Sequence, residues 1–235
     1  MTRTTFSNSL RAYHCLPGRK GWFKNENMDP NPPPSPLEQA QSASSNATPQ
    51  TLNLVFPADG EEGEATRVRY SLTDDTLIVT YEVTTRDINP EKMNDIEIYN
   101  GSVVELFICT TARPGQTPRP YYEFEVSPYN QELQVLIDIN GKFNEKWNTR
   151  KFRHSATIRG GRPSWDAVME IPLKELGWQG NPATITGNAF AILGAKGVRR
   201  FYSAYLPRQR KPNFHQPSSF RPFPLNDISS VKSVP

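Results

Sequence analysis

Three glutamates share one face of two predicted strands. In VVELFIC (103–109), strand alternation puts Glu105 on the side opposite the main apolar residues, and YYEFEV (121–126) does the same for Glu123 and Glu125. If the apolar sides pack into one core, all three carboxylates project from the other face of the same sheet. Grouped carboxylates can accept hydrogen bonds, hold a cation or transfer protons.

Acid–base catalysis is one use of such a pair. Glu123 and Glu125 stand two residues apart on one strand face, a separation compatible with glycosidase chemistry. That chemistry needs the two carboxyls on opposite sides of a scissile bond, in a cleft that a sheet face rarely supplies. We therefore assign no catalytic residue and expect a protein that is not an enzyme, with a weak glycosidase or an accessory to glycoside processing as the alternative.

Metal binding is a second use of the same face. Carboxylates are ligands for Ca²⁺, but the chain has no D-x-D-x-D loop, and its cysteines and histidines lack metal-ligand spacing. We expect no cofactor to be required, with Ca²⁺ possible, and we name no metal ligand.

The net charge of the chain gives little indication of whether it binds nucleic acid. The net charge is only +3 over 235 residues, too small by itself to indicate nucleic acid. Residues 199–214 nevertheless mix arginines with aromatic residues, as surfaces for single-stranded nucleic acid do. Nucleic-acid binding through this segment stays an alternative, against the simpler interpretation of a solvated strand and loop.

The chain has no run of apolar residues long enough to span a membrane, so no membrane partner is expected. Its first residues are basic but lack the continuous apolar segment of a secretory signal. A cytoplasmic or non-classically exported protein is expected, and the compartment stays open.

Composition divides the chain into three parts. Residues 1–50 are rich in Pro, Ser and Asn and predict a disordered leader. Residues 51–228 carry the strand patterns of one domain, and residues 229–235 form a short tail.

Within 51–228 the pattern predicts strands separated by turns, with almost no helix. The predicted strands lie at TLNLVF (51–56), TRVRYSL (66–72), TLIVTYEVTT (76–85), the two glutamate strands, ELQVLIDI (132–139), SWDAVMEI (164–171), AFAILGAK (189–196) and RRFYSAYL (199–206). The stretch KFNEKWNTRKFRHSATI (142–158) alternates basic and aromatic residues, and a short helical turn is predicted to begin at Pro172. About eight to ten strands of this kind favour an all-β fold, an antiparallel, jelly-roll-like β-sandwich.

Three local predictions concern the glutamate strands and the strand after them. In residues 132–139 we expect Leu133, Val135, Ile137 and Ile139 inward, so that Gln134 and Asp138 extend the polar surface of the glutamates. Asn140-Gly141 is a candidate type I′ turn. Ion pairing of Glu105 with Arg199 or Arg200 is the structural alternative to a binding role.

Four segments in order resemble carbohydrate-binding module family 9 and its wider group of β-sandwich domains, which occur in xylanases and in free-standing proteins. These segments are TRVRYSLTDDTLIVTYEVTTRD, YNGSVVELFI, YYEFEVSPYNQELQVLID and FHQPSSFRPFPL, within roughly residues 60–226. The resemblance implies non-catalytic binding of an oligosaccharide or polysaccharide chain end, linked to carbohydrate breakdown, by a protein expected to be a monomer.

The resemblance also implies a site. The family grips a terminal sugar between two aromatic rings, the first six residues before a strand glutamate and the second just before a P-x-x-F pattern. Tyr99 and Phe214 stand at those positions, although the family usually has Trp at both, and Glu105 matches the glutamate. The implied carbohydrate-binding residues are Tyr99, Glu105, Glu123, Glu125, Asn213 and Phe214. Ser102 replaces the acidic residue that the family usually places three before the glutamate.

Overall fold

The computed structural model describes residues 50–54, 64–88, 97–161, 163–194, 198–205, 213–223 and 225. Within them, twelve antiparallel strands form two sheets. The strands are β1 (Gln50–Leu54), β2 (Ala65–Thr73), β3 (Thr76–Thr84), β4 (Val103–Cys109), β5 (Tyr121–Val126), β6 (Glu132–Ile137), β7 (Phe143–Asn144), β8 (Arg153–Arg159), β9 (Ser164–Pro172), β10 (Thr186–Leu193), β11 (Arg200–Ser203) and β12 (Arg221–Pro222). Short 3-10 turns lie at Ile98–Asn100, Leu173–Leu176, Pro182–Thr184 and Pro217–Ser219. The predicted antiparallel β-sandwich is confirmed.

The two sheets differ in size and role. The smaller sheet has the order β1-β2-β3-β9-β8. The larger sheet has the order β11-β10-β4-β5-β6-β7, and β12 also pairs with β10. The two glutamate strands, β4 and β5, are hydrogen-bonded neighbours in the interior of the larger sheet, so their positions are fixed from both sides.

The main core lies between the sheets and follows from the alternation in the sequence. β2 and β3 form the predicted hairpin, whose turn residue Asp74 has φ of +51°. Core side chains from the two sheets pack together, among them Val79, Tyr81, Leu106, Phe124 and Trp165. The Tyr81 hydroxyl also donates a hydrogen bond of 2.7 Å to the backbone carbonyl of Glu105. This bond joins the smaller sheet to the strand that carries the first glutamate.

The opposite face of the larger sheet is buried too. A second apolar cluster forms there from the remaining side chains of β4, β5, β6 and β10, with Ile98, Phe214 and Phe220 packed over them. The face that the sequence predicts to be polar is therefore covered by chain segments from outside the sheet, and the glutamates lie among aromatic side chains rather than in solvent.

The predicted orientation of β6 is wrong. β6 pairs with β5 so that Leu133 lies opposite Glu125 and Val135 lies opposite Glu123. Cross-strand partners share a face, so these apolar residues, and not Gln134, border the glutamates. Gln134 lies on the other face, where its side chain accepts a 2.9 Å hydrogen bond from the backbone of Thr149.

The ends of that stretch also differ from the prediction. Ile139, which was expected inward, is 65% exposed. Asp138 lies beyond the end of β6, where its carboxylate accepts hydrogen bonds from the backbone N–H groups of Asn140 and Lys142 instead of joining the glutamate surface. The turn is not type I′, because Gly141 has a positive φ of +82° but Asn140 does not.

An ion-pair network joins the sheets near one end of β11. Two guanidinium nitrogens of Arg200 contact the Glu64 carboxylate at 2.6 and 2.7 Å, and one of them also lies 2.6 Å from Asp87. The Tyr202 hydroxyl donates a further hydrogen bond to Glu64. Burial alone would raise the pKa of Glu64, but hydrogen bonds from Arg200, Tyr202 and neighbouring groups outweigh it and lower the pKa to about 2.

The predicted leader and the predicted tail fall almost entirely outside the described residues. Apart from Gln50, which begins β1, the predicted leader at 1–50 lies outside them, as does the predicted tail at 229–235. No helix in the described part of the chain is both long enough and apolar enough to cross a membrane.

Replacing Arg200 tests the ion-pair network. We expect Arg200→Met to lower the free energy of unfolding by roughly 2–4 kcal/mol, because it leaves the Glu64 carboxylate buried without its main partner. Chemical denaturation at pH 7 measures the effect, and Arg153→Met, at an exposed position on β8, is the control. A loss no larger than that of the control would show that the network contributes nothing.

The same network predicts how stability depends on pH. The folded pKa of Glu64, about 2, lies below its unfolded value of about 4.3, so its contribution is complete above the unfolded value. The contribution should disappear as the pH falls from about 4.3 towards 2, and the gap between the parent and Arg200→Met should narrow over that range. Unfolding curves at pH 7 and pH 3 compare the two proteins.

Candidate functional site

The register of the larger sheet brings the glutamates together. Glu105 on β4 lies directly opposite Glu125 on β5 and, on its other side, opposite Phe190 on β10. One step along the strands, Glu123 lies opposite Phe107. The three carboxylates therefore occupy adjacent positions on one face of the sheet, as the alternation in the sequence predicts.

These carboxylates line a cavity of about 370 Å³, a size within the usual range for small-molecule sites. Residues from β4, β5 and β6 form its sheet side, and side chains from outside these strands surround it. All six residues implied by the sequence resemblance line this one cavity: Tyr99, Glu105, Glu123, Glu125, Asn213 and Phe214. The fold thus collects residues that are up to 115 positions apart in the chain, from Tyr99 to Phe214.

The three glutamates are deeply buried. Glu105, Glu123 and Glu125 are 3%, 5% and 2% exposed, and one oxygen from each lies within 4.8 Å of the others. Within the described part of the chain, Oε2 of Glu125 has no hydrogen-bond partner. A single positively charged group at this point could contact all three carboxylates.

Burial and mutual repulsion make these groups weak acids. Burial first, and then the charge of Glu123, raise the pKa of Glu105 well above its ordinary value. Burial likewise raises the pKa of Glu125, with the charges of Glu105 and Glu123 adding to it. The pKa of Glu123 rises to about 7, again mainly through burial. Near neutral pH the cluster therefore retains protons, and a protonated carboxyl of Glu123 or Glu125 can donate a hydrogen bond to the other of the two.

His215 borders the cluster without neutralising it. Its Nε2 lies 3.9 Å from a carboxylate oxygen of Glu123, and its Nδ1 is 3.1 Å from the hydroxyl of Tyr121. Burial lowers the pKa of His215 to about 4, so the ring is neutral at pH 7. The histidine therefore supplies hydrogen-bonding capacity at the cavity wall but no positive charge.

Tyr99 and Phe214, the two aromatic residues expected to hold the sugar ring, differ in exposure and packing. Tyr99 lies in the 3-10 turn before β4 and is 39% exposed, while its backbone carbonyl accepts a 2.7 Å hydrogen bond from Arg199. Phe214 is only 8% exposed, and its ring stacks on Phe190 with 4.1 Å between centroids. One face of the Phe214 ring is thus covered by Phe190, so Phe214 is a buried part of the cavity wall. The Tyr99 side chain, in contrast, is partly exposed to solvent.

The last residue implied by the resemblance, Asn213, helps to hold the closing segment in place. Its side-chain oxygen accepts a 3.1 Å hydrogen bond from the backbone N–H of His215, and its backbone carbonyl accepts one of 2.9 Å from Gln216. The side-chain oxygen is therefore used within the segment, which leaves the amide N–H groups of Asn213 for other partners.

Several cavity residues were missed by the sequence reasoning. Phe143 reaches the cavity from the short strand β7, which lies alongside β6, and Glu145 reaches it from directly after β7. Phe201 reaches the cavity from β11. Phe143 is 47% exposed and its ring meets that of His215 edge-on. Extending the two-residue alternation through KFNE after the turn would have placed Phe143 and Glu145 on one side, but no local signal indicates that this side faces the glutamates.

The arginines at 199 and 200 are committed to contacts within the domain. Arg200 pairs with Glu64 and Asp87, so the suggestion that it pairs with Glu105 is wrong. Arg199 bonds the carbonyl of Tyr99 and lies over the ring of Phe201, and it lowers the pKa of Glu105 only as a minor influence. The other basic residues of the 199–214 segment lie outside the described residues.

Comparison with known sequences gives one informative relative. No family model matches the chain. The UPF0462 protein C4orf33 homolog of Mus musculus is 31% identical to it over 140 residues, which is 56% of this chain and 65% of the mouse protein. The chain therefore aligns with slightly less than two thirds of that relative's length.

Comparison with solved structures identifies the fold. A presumed carbohydrate-binding protein from Bacteroides uniformis superposes with a TM-score of 0.58 at 18% identity, over 74% of this chain and 84% of that one. A carbohydrate-binding module of family 9 from Caldicellulosiruptor kristjanssonii, solved with cellotriose, gives a TM-score of 0.52 at 14% identity, over 80% and 87%. The chain has the fold of the family 9 carbohydrate-binding modules, as its sequence motifs predict.

Proposed function

We propose that the domain binds carbohydrate without catalysing a reaction, and that a terminal sugar occupies the cavity above Glu105. The observation that carries this proposal is the convergence of aromatic rings and buried carboxylates in one cavity of about 370 Å³. The solved relative of the same fold that holds cellotriose supports it.

The chemistry of the cavity suits a sugar. The C–H faces of a pyranose ring pack against aromatic rings, and its hydroxyls donate hydrogen bonds to carboxylates. Tyr99 offers an exposed ring at one wall, and Phe214 offers a ring already fixed by Phe190. Glu105, Glu123 and Glu125 provide acceptors, and the amide of Asn213 adds donors. These groups surround the cavity already, so the protein can contact a sugar on several sides without a large rearrangement.

The energetics of the glutamates also support a binding role. Burying a carboxyl that prefers to ionise in water costs stability unless a partner compensates for the lost hydration. Arg200 provides such compensation for Glu64, but no cation in the described residues forms an ion pair with the three cavity glutamates. Since these side chains weaken the fold, a ligand that uses their oxygens is the simplest reason for their presence.

A glycosidase is a poorer match to the geometry. Hydrolysis by two carboxyls requires them to stand about 5 Å or more apart on either side of a glycosidic bond. The cavity carboxylates have oxygens within 4.8 Å of one another and lie on the same sheet face. This arrangement favours holding a ligand on one side over cleaving it between two groups.

Binding of single-stranded nucleic acid is also disfavoured at this cavity. A surface for nucleic acid needs cationic side chains free to contact phosphates. The described arginines of the segment, Arg199 and Arg200, contact the domain itself, and the cavity beside them is lined by acidic and aromatic side chains that offer phosphate no positive charge. We therefore propose a sugar, rather than a nucleic acid, as the ligand of this cavity.

Tyr99→Ala should weaken sugar binding by about 1–3 kcal/mol, because it removes an aromatic wall that contacts the sugar ring. Tyr99 is 39% exposed, so the thermal stability should change little. A glycan array first identifies a responsive sugar, and titration calorimetry then compares the parent with the variant. Ile158→Ala, which removes an exposed apolar side chain from the smaller sheet, is the control. Unchanged affinity in Tyr99→Ala would exclude this ring from the site.

Glu123→Gln should stabilise the domain at high pH. The folded pKa of about 7 exceeds the unfolded value, so ionisation of Glu123 destabilises the fold increasingly as the pH rises from about 4.3 through 7. A neutral amide avoids this loss, and we expect a gain of about 3 kcal/mol at pH 8 that vanishes near pH 4. Thermal and chemical unfolding at both pH values, with Glu170→Gln on β9 as the control, measure it. Lower stability of Glu123→Gln at pH 8 would contradict the argument.

A further inference from the structure

The cavity contains more carboxyl groups than the surrounding described residues can pair with a cation. Among the described residues, Arg199 is engaged by Tyr99 and Phe201, Arg200 is engaged by Glu64, and His215 is held neutral by burial. Glu145, on the cavity wall, adds a fourth carboxylate near Glu123 and raises its pKa further. The hydroxyl of Tyr121, which borders His215, is also neutral at pH 7, since burial raises its pKa.

The three buried carboxyl groups lie close enough together for one ammonium group to contact all of them. A primary ammonium has three N–H donors in tetrahedral directions, and at an N···O distance of about 2.8 Å its three acceptors lie about 4.6 Å apart. One oxygen from each of Glu105, Glu123 and Glu125 lies within 4.8 Å of the others. Oε2 of Glu125 is buried without a hydrogen-bond partner, so an acceptor is left for such a donor.

The aromatic walls favour the same kind of ligand. Aromatic faces attract cations through their quadrupole, most strongly where water is excluded. Rings from separate parts of the chain surround the carboxylates: those of Tyr99, Phe107, Phe143, Phe201 and Phe214. A cation attached to a compact organic body would use both the charge and the rings.

We propose that the ligand of this cavity carries a protonated primary amine that is received by Glu105, Glu123 and Glu125. The inference rests on the proposed sugar-binding function, and together they make the ligand a 2-amino-2-deoxy sugar at a chain end. Its ring lies against the aromatic walls, and its ammonium group contacts the three carboxylates.

Three other ligands would contact fewer of the cavity's carboxyl groups and aromatic rings than an amino sugar would. A neutral hexose brings no cation to the carboxyl cluster, so it does not favour ionisation of the three buried groups. Calcium takes six to eight oxygen ligands, so it would use the carboxylates in bidentate fashion or with added waters and would leave the aromatic walls of the cavity unused. An N-acetylated amino sugar carries no charge and adds bulk at the position where the three carboxylates converge.

Binding of an ammonium should displace protons from the cluster. The raised pKa values of Glu105, Glu123 and Glu125 mean that the empty cavity retains protons near pH 7, and the ammonium needs ionised partners. Affinity for the amine should therefore be lower at pH 5 than at pH 7. Calorimetry in two buffers of different ionisation enthalpy reports the protons released, which a neutral sugar would not release.

The test is titration calorimetry of the full chain at pH 7 with five probes: glucosamine, N-acetylglucosamine, glucose, cyclohexylamine and calcium chloride. We expect glucosamine to bind at least about tenfold more tightly than glucose and N-acetylglucosamine, as a charge-assisted contact would give. Cyclohexylamine, which has a six-membered ring and an ammonium group but no hydroxyls, should bind more weakly than glucosamine.

The outcomes separate the inference from the proposed function. Glucose binding as tightly as glucosamine would overturn the amine inference and leave sugar binding intact. Cyclohexylamine matching glucosamine would support the ammonium site and overturn the sugar. Binding of calcium alone, or of none of the five probes, would overturn both proposals.

Two matched Glu→Gln variants test whether the preference for glucosamine depends on the three cavity glutamates. Glu125→Gln keeps the side-chain shape and removes one charge, so it should lower the preference for glucosamine over glucose about tenfold and reduce proton release. Glu170→Gln, on the smaller sheet, removes a charge away from the cavity and should leave the preference unchanged. An unaltered preference in Glu125→Gln, confirmed as folded by thermal unfolding, would overturn the inference.

Discussion

The burial of three carboxylates side by side on β4 and β5 is the constraint on which the rest of the structure depends. Each carboxylate loses hydration on folding, and each repels the others when ionised. Such an arrangement persists only where neighbouring structure holds the strands rigidly. β4 and β5 lie inside the larger sheet, with hydrogen-bonded strands on both sides and the main core packed behind them. The favourable free energy of that core compensates for the unfavourable burial of the glutamates.

The two faces of the larger sheet thus have different roles. One face packs against the smaller sheet with mainly apolar side chains, and the Tyr81 hydroxyl and the Arg200–Glu64 pair add polar contacts that join the two sheets. The other face combines a second apolar cluster with the carboxylates and is covered by segments near Tyr99 and Phe214. Because the first face supplies most of the stabilising burial, the second can tolerate an arrangement that weakens the fold. The face of the larger sheet that packs on the smaller sheet thus stabilises the fold, and its opposite face carries the proposed binding site.

The sequence predicts this division only where the signal is local. Alternation along VVELFIC and YYEFEV places Glu105, Glu123 and Glu125 together, and their grouping is confirmed by the register. Alternation cannot say which face of β6 joins them, since that depends on pairing with a distant strand, and here the prediction for Gln134 is wrong. The Arg200–Glu64 pair spans 136 residues, and the covering of the glutamate face by Phe143 and His215 involves other long-range contacts. Such contacts are set by the three-dimensional fold and leave no pattern in neighbouring residues.

The choice of glutamate at these positions carries its own information. Glutamine has nearly the same shape, accepts hydrogen bonds through its carbonyl oxygen, and is buried at a lower desolvation cost. What glutamate adds is a full negative charge, two strong acceptors and the ability to exchange a proton near neutral pH. A site that only needed acceptors for hydroxyl groups would gain stability by using amides. Three glutamates in contact, at the expense of stability, are therefore better explained by a ligand whose own charge or protons interact with theirs.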